Sequence, residues 1–299
     1  MVKPSDFLFT GLAPAIWGST YIVTTQWLPP GFPLTVSLLR ALPAGIILLL
    51  VVRRLPELRW LPKLFLLGFL NFTLFWTLLF VAAYRLPGGI AATLGATQPL
   101  IVLFLARALI GAPIRPLAIV AAIAGLAGVG LLLISSHISL DPVGIAAAFG
   151  GALSMAFGTV LTRKWQWPVS PLTLTAWQLT AGGLLLAPIA LLAEQGFPPP
   201  DMKNLAGLVW LGLIGAALTY VLWFRGIARI GPGNAALLGF LSPLSAVLLG
   251  WLILGEALTP IQLAGAALVL ASLWTGQRAG RAAPATFGKS SATTKTPAQ

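Results

Sequence analysis

Long apolar runs follow one another through this chain with little polar interruption. We count ten, at roughly residues 7–27, 33–52, 62–84, 88–109, 116–134, 142–162, 171–193, 204–227, 232–254 and 260–277. A helix of about 20 apolar residues crosses the hydrocarbon core of a bilayer. Lipid offers a backbone no hydrogen bonds, so only helices and closed barrels can span it. The expected fold class is therefore an all-α membrane protein with ten transmembrane helices. The chain is 8% charged, where soluble domains carry about 25%, and its mean hydropathy is +0.95. Gly11 and Pro14 interrupt the first run, and no small-residue cleavage site follows it. It reads as a retained span rather than a removed signal.

The basic residues orient the spans. With the N-terminus in the cytoplasm and ten alternating spans, 15 of the 18 Lys and Arg residues fall on the cytoplasmic side. That is the positive-inside distribution, and it puts both termini in the cytoplasm. The net charge of +12 is then a topology signal, and nucleic acid is not an expected partner. With no Cys and a single His, His137, neither a disulfide framework nor a Cys/His metal cluster can be built. No cofactor is expected. No phosphate loop or nucleophile–base order occurs, so the chain does not read as an enzyme.

The sequence repeats internally. Residues 67–131 align without a gap on 211–275, pairing Leu67-Gly68 with Leu211-Gly212, Phe80 with Phe224, and Arg85 with Arg229. Pro33, Thr35 and Gly45 pair with Pro171, Thr173 and Gly183. This gives one five-helix repeat at 7–134, a second at 142–277, and a disordered cytoplasmic tail at 278–299. Five is odd, so the second copy enters the membrane from the opposite face. Such inverted repeats characterise carriers that work by alternating access. Within the alignment, Gly95-Ala96-Thr97-Gln98-Pro99-Leu100 matches Gly239-Phe240-Leu241-Ser242-Pro243-Leu244, mid-way along spans four and nine. Interior proline removes a helix hydrogen bond, and paired interruptions of this kind point to a binding site. Gly95, Pro99, Gly239 and Pro243 are the expected hinge positions.

These features together resemble the EamA branch of the drug/metabolite transporter superfamily. The resemblance rests on Trp17-Gly18-Ser19-Thr20, Arg40, Ala91-Ala92 through Gln98-Pro99, and Ala235-Ala236 through Pro243 to Gly255-Glu256. It covers about residues 7–277. It implies a bacterial inner-membrane exporter of small metabolites, and the aromatic richness is similar to YddG-type amino-acid exporters. The acidic end of the motif occurs once: the first half has Gly111-Ala112 where the second has Gly255-Glu256.

Several residues are candidates for the substrate cavity. Trp17 and Tyr21 share a face of span one, Phe75 and Trp76 stand mid-way along span three, and Tyr220 and Trp223 share a face of span eight. Such rings either pack as core or line an apolar cavity. Asn71, Thr97, Gln98, Thr159 and Ser242 are polar at mid-depth, where hydroxyls commonly bond their own helix. A Gln98 amide beside a proline-freed carbonyl could hold a substrate ammonium or carboxylate. Arg40, an intramembrane charge, either captures a substrate carboxylate or snorkels and bonds helix-end carbonyls; Gln178 is its partner in the repeat. Trp27, Trp60, Trp165 and Trp167 lie at span ends, as interfacial anchors do. No acid lies deep in a span, which favours gradient-driven export over a carboxylate proton relay. The expected substrate is an amino acid, aromatic or neutral; other small metabolites or drugs, or lipid modification, are the alternatives. Gly125, Gly128 and Gly265 allow close helix packing, within a monomer or across a homodimer.

Overall fold

A computed structural model of the protein describes residues 3–86, 88–133, 141–255 and 257–281. His137, Glu256 and the tail after residue 281 lie outside them, as does the side chain of Tyr21. Among the described residues every regular element is a helix. In order these are α1 (Pro4–Trp17), α2 (Ser19–Trp27), α3 (Pro33–Val52), α4 (Leu61–Gly68), α5 (Phe75–Arg85), α6 (Gly88–Gly95), α7 (Gln98–Ile110) and α8 (Pro116–Leu132). Then come α9 (Pro142–Lys164), α10 (Pro171–Ala193), α11 (Met202–Val209), α12 (Thr219–Ile230), α13 (Pro232–Leu238), α14 (Leu241–Leu254) and α15 (Pro260–Arg281). Among the described residues, eight helical stretches are long and apolar enough to cross a membrane: Pro4–Trp27, Pro33–Val52, Leu58–Ala82, Ala92–Ile110, Pro142–Lys164, Pro171–Ala193, Met202–Ile230 and Pro232–Leu254. The apolar α8 is shorter at 17 residues, and α15 has 22.

Local chemistry sets these boundaries. Proline opens α1, α3, α8, α9, α10, α13 and α15, where its missing N–H costs nothing and its fixed φ suits a helix. The Asp141 carboxylate accepts from the Gly144 N–H at 2.7 Å, and Asp201 caps α11 through Asn204 N–H at 2.7 Å. The start of α3 is capped from a distance. Glu194, just beyond α10, accepts from Leu34 N–H at 2.9 Å and Thr35 N–H at 2.8 Å. Gly111 and Gly255 end α7 and α14 with φ of 67° and 69°, a left-handed turn that glycine adopts without strain. In the first span, α1 runs straight through Gly11 and Pro14; the helix breaks at Gly18. Gly18 is where the chain meets α14: a Cβ there would lie 2.7 Å from the Ser242 carbonyl oxygen.

The helices pair in a pattern that follows the sequence alignment. α3 packs along α10, and α8 along α15. α1 packs on α12 and α14, while α9, aligned with α1, packs on α5 and α7. Small residues set the spacing. A Cβ on Gly45 would fall 2.6 Å from the Thr180 nitrogen, and one on Gly183 would fall 2.8 Å from the Leu42 Cβ. These are equivalent positions on α3 and α10. A Cβ on Gly128 would fall 2.9 Å from the Val269 nitrogen, and one on Gly265 would fall 2.7 Å from the Gly128 oxygen. The glycine faces of α8 and α15 are therefore occupied by each other within one chain. Large apolar side chains such as Leu50, Val51, Phe104, Ile123, Leu192 and Trp251 point outward, as a lipid-facing surface requires.

Candidate functional site

Two spans widen to π geometry in mid-course. Between α4 and α5 the segment is Phe69–Leu74, and between α11 and α12 it is Trp210–Leu218. Leu74 aligns with Leu218, so both segments close at the same repeat position. π turns are rare and recur at functional sites, because the shifted ladder leaves carbonyls to be satisfied elsewhere. Here side chains from other spans supply them. Ser154 Oγ on α9 donates to Leu70 O at 2.7 Å. Arg40 Nη2 on α3 donates to Gly215 O at 2.6 Å, and Thr219 Oγ1, four residues on in the same span, adds a second bond at 2.9 Å.

Aromatic rings link the first π segment to α12, which follows the second. Phe72 lies 4.6 Å from Tyr220 and 5.3 Å from Trp76, centroid to centroid. Trp17 lies 5.1 Å from Tyr220 and 5.2 Å from Trp223, and its indole N–H donates to Thr219 Oγ1 at 2.9 Å. Phe224 continues the stack beyond Tyr220 at 5.7 Å. Trp76, Tyr220 and Trp223 are buried, so in this conformation they fill the interior. Each such ring pair contributes about 0.5–1.5 kcal/mol beyond area burial. Of the aromatic candidates, the structure brings Trp17, Trp76, Tyr220 and Trp223 together. Phe75 packs toward Gly151 on α9 instead. Phe72 and Phe224 were not singled out in the sequence. Phe72 stands four residues before Trp76, and Phe224 pairs with Phe80 in the repeat; both signals were available.

The polar groups form matched contacts. Asn71 Nδ2 donates to Gln178 Oε1 at 2.8 Å. Gln178 aligns with Arg40, and Asn71 aligns with Gly215. The contact from Arg40 to Gly215 thus has its repeat counterpart in Gln178 with Asn71. Arg40 also lies over the Trp76 ring, 5.0 Å from its centroid. Arg40 Nε, Asn71 Oδ1, Gln178 Nε2, Thr159 Oγ1 and Trp223 Nε1 are enclosed and without a hydrogen-bond partner. Leaving such groups unpaired costs about 1–3 kcal/mol each, and native proteins rarely leave several together.

Thr97, Gln98 and Ser242 stand apart from the aromatic core. The helix is interrupted between Gly95 and Gln98 and again between Leu238 and Leu241, at the two matched Gly–Pro stretches. Thr97 Oγ1 donates to Leu94 O at 2.7 Å. The Gln98 side-chain nitrogen is enclosed and unpaired, while Ser242 N–H donates to Gly239 O at 3.0 Å. A cavity of about 660 Å³ is lined by Thr162, Arg163, Gln166, Trp167, Leu174 and Phe224 among others, a volume suited to a small organic molecule. Phe224 is shared between this cavity and the aromatic stack. Trp60 lies 5.0 Å from Trp167, and Lys63 sits 5.2 Å over Trp60, an arrangement that suits a membrane interface. At one end of α9, the Gly144 N–H and then the Arg85 guanidinium hold the Asp141 carboxyl below the usual carboxylate range. Among the described residues no three His, Cys, Asp or Glu side chains gather to hold a metal ion.

The sequence profile of the EamA-like transporter family matches residues 6–134 and 142–275. This chain belongs to the EamA-like transporter family. Protein PecM of Dickeya dadantii is 46% identical over 277 residues, covering 91% of each chain. The uncharacterized inner membrane transporter YedA of Escherichia coli K12 is 33% identical over 252 residues, covering 83% of this chain and 82% of its own. A solved crystal structure superposes with a TM-score of 0.79 over 93% of this chain and 99% of its own, at 20% identity. That likeness concerns the fold. As an EamA family member, the chain is a multi-pass membrane transporter of small molecules, and the aromatic core between the π segments lies inside a transport protein.

Proposed function

We propose that this transporter exports amino acids, aromatic or neutral, across the bacterial inner membrane by alternating access. Ten spans carry out the work: the eight apolar stretches together with α8 and α15. They form two inverted five-helix repeats, 7–134 and 142–277, with both termini in the cytoplasm. The exchanged contacts, Arg40 with Gly215 and Gln178 with Asn71, support this inverted plan. The two Gly–Pro interruptions act as hinges, and Trp17, Tyr21, Asn71, Trp76, Gln98, Thr159, Tyr220, Trp223 and Ser242 face the substrate in some part of the cycle. The working unit is a monomer, because α8 and α15 spend their glycine faces on each other.

One observation carries the choice of substrate. Around the stack of Trp17, Phe72, Trp76, Tyr220 and Trp223, the described groups are rings, hydroxyls, neutral amides and a single guanidinium. Such an interior suits a solute with an apolar or aromatic body and a few polar atoms. The absence of acids deep in any span of the sequence supports gradient-driven movement. The test is uptake into proteoliposomes of labelled amino acids, sugars and lipophilic cations, with and without a pH gradient. Amino-acid flux above empty liposomes and independent of the gradient is expected. Flux only of sugars or cations would overturn the substrate, and strict dependence on the pH gradient would overturn the mechanism.

A further inference from the structure

Arg40 is a cation inside the membrane-spanning part of the protein without an acidic partner. The ion pairs among the described residues are Arg59–Glu57, Arg85–Asp141 and Arg225–Asp6, and none includes it. Its Nη2 donates to the Gly215 carbonyl at 2.6 Å, and its flat face lies over Trp76. Its Nε is enclosed and unpaired. A guanidinium has five donors set in a planar fork. A carbonyl dipole and a ring face compensate only part of a charge taken from water. The equivalent position in the other half holds the neutral Gln178, whose Oε1 accepts one hydrogen bond from Asn71 Nδ2. A helix-to-helix tie at this place therefore does not require a charge, and the charge has to be explained separately.

We propose that Arg40 is the receptor for a substrate carboxylate, which binds the guanidinium fork through Nε and a terminal nitrogen while the rest of the solute lies along Trp76 and Tyr220. This rests on the transport reading above and names its substrate class: small aromatic or apolar carboxylates, amino acids among them. Planar carboxylate and planar guanidinium make paired hydrogen bonds. The π turn at Gly215 keeps the fork in place before substrate arrives. In that state the Gly215 carbonyl occupies one donor and leaves Nε free. A neutral amide offers Nε a single carbonyl oxygen and no charge, and a cationic analogue leaves the guanidinium uncompensated.

The experiment measures binding on the purified full-length chain by ligand-induced thermal stabilisation, using 3-phenylpropionate, L-phenylalanine and L-phenylalaninamide. The two carboxylates are expected to stabilise the wild-type protein and the amide to do so at least about tenfold less well, the scale of one charge-assisted bond. Arg40→Gln should lose about tenfold or more in carboxylate affinity with little effect on the amide. Arg40→Lys should recover part of the loss, keeping the charge without the fork. If Arg40→Gln does not fold, the ranking of the three probes on the wild type still decides. Equal binding of amide and carboxylates, or wild-type carboxylate affinity in Arg40→Gln, overturns the proposal. Absence of binding by all three, with another solute still moving in the flux panel, overturns it while leaving transport intact. Carboxylate binding with no flux of any solute would sink the transport reading and keep the site.

Discussion

Gly158→Ala tests whether the polar tie between spans three and seven is built as described. Gly158 on α9 faces the Asn71 side chain so closely that a Cβ would overlap its amide. That amide is fully buried and holds Gln178 at 2.8 Å. Either α9 backs away from the π segment or the amide turns and releases Gln178. Overpacking costs about 1–3 kcal/mol, and a buried amide left unpaired adds about 1–3 kcal/mol. The sum is a destabilisation of roughly 2–6 kcal/mol, or about 4–12 °C in melting temperature at about 2 °C per kcal/mol for a chain of this size. The assay is thermal unfolding of the purified protein in detergent, arranged as a double-mutant cycle with Asn71→Ala. Asn71→Ala removes the clashing amide, so the double variant should be more stable than the sum of the two single losses predicts. Wild-type stability in Gly158→Ala would refute the packing argument, and strict additivity would refute the assigned contact.

Three further outcomes follow from the geometry. Glu194→Ala should cost about 1–2 kcal/mol, because the first free N–H groups of α3 lose their acceptor; thermal unfolding reads this, and Glu194→Gln should fall between the two. The Asp141 carboxyl titrates lower in the folded protein than in the unfolded chain. Its contribution is fully present above the ordinary carboxylate range and disappears as pH falls through the lowered value. Asp141→Asn should therefore flatten the acid limb of the stability–pH curve and leave its shape at neutral pH unchanged. Gly265→Val should force α15 off α8, since a Cβ there already reaches the Gly128 carbonyl. Loss of the monodisperse peak on size exclusion, or a large drop in melting temperature, is the expected result.

The sequence made the helices legible because lipid leaves a backbone few choices. Apolar length and proline placement located them to within a few residues. The interruptions before Pro99 and Pro243 were readable because a glycine and a proline recur together at matched mid-span positions of the two repeats. The π segments were not, since no residue type demands them. The only trace is a matched glycine pair, Gly68 just before the first segment and Gly212 within the second. Gly11 and Pro14 looked like breaks in the first span, yet the helix is interrupted only at Gly18, where the backbone of α14 approaches. Arg40 and Gln178 were visible as a repeat pair. Their partners, Gly215 and Asn71, became visible only in three dimensions, because a glycine and an asparagine share no chemistry that an alignment would reveal. Phe72 was one phenylalanine among 15 until its ring was seen between Trp76 and Tyr220.

In the proposed cycle this chain carries amino acids by exposing one site to the two sides of the membrane in turn. Counterflow measures that directly. Proteoliposomes loaded with unlabelled L-phenylalanine are diluted into labelled L-phenylalanine, and internal label is followed over time. Alternating access predicts a transient accumulation of label above equilibrium, saturable and dependent on the protein. Label that rises only to equilibrium, at a rate unaffected by the internal load, would contradict it.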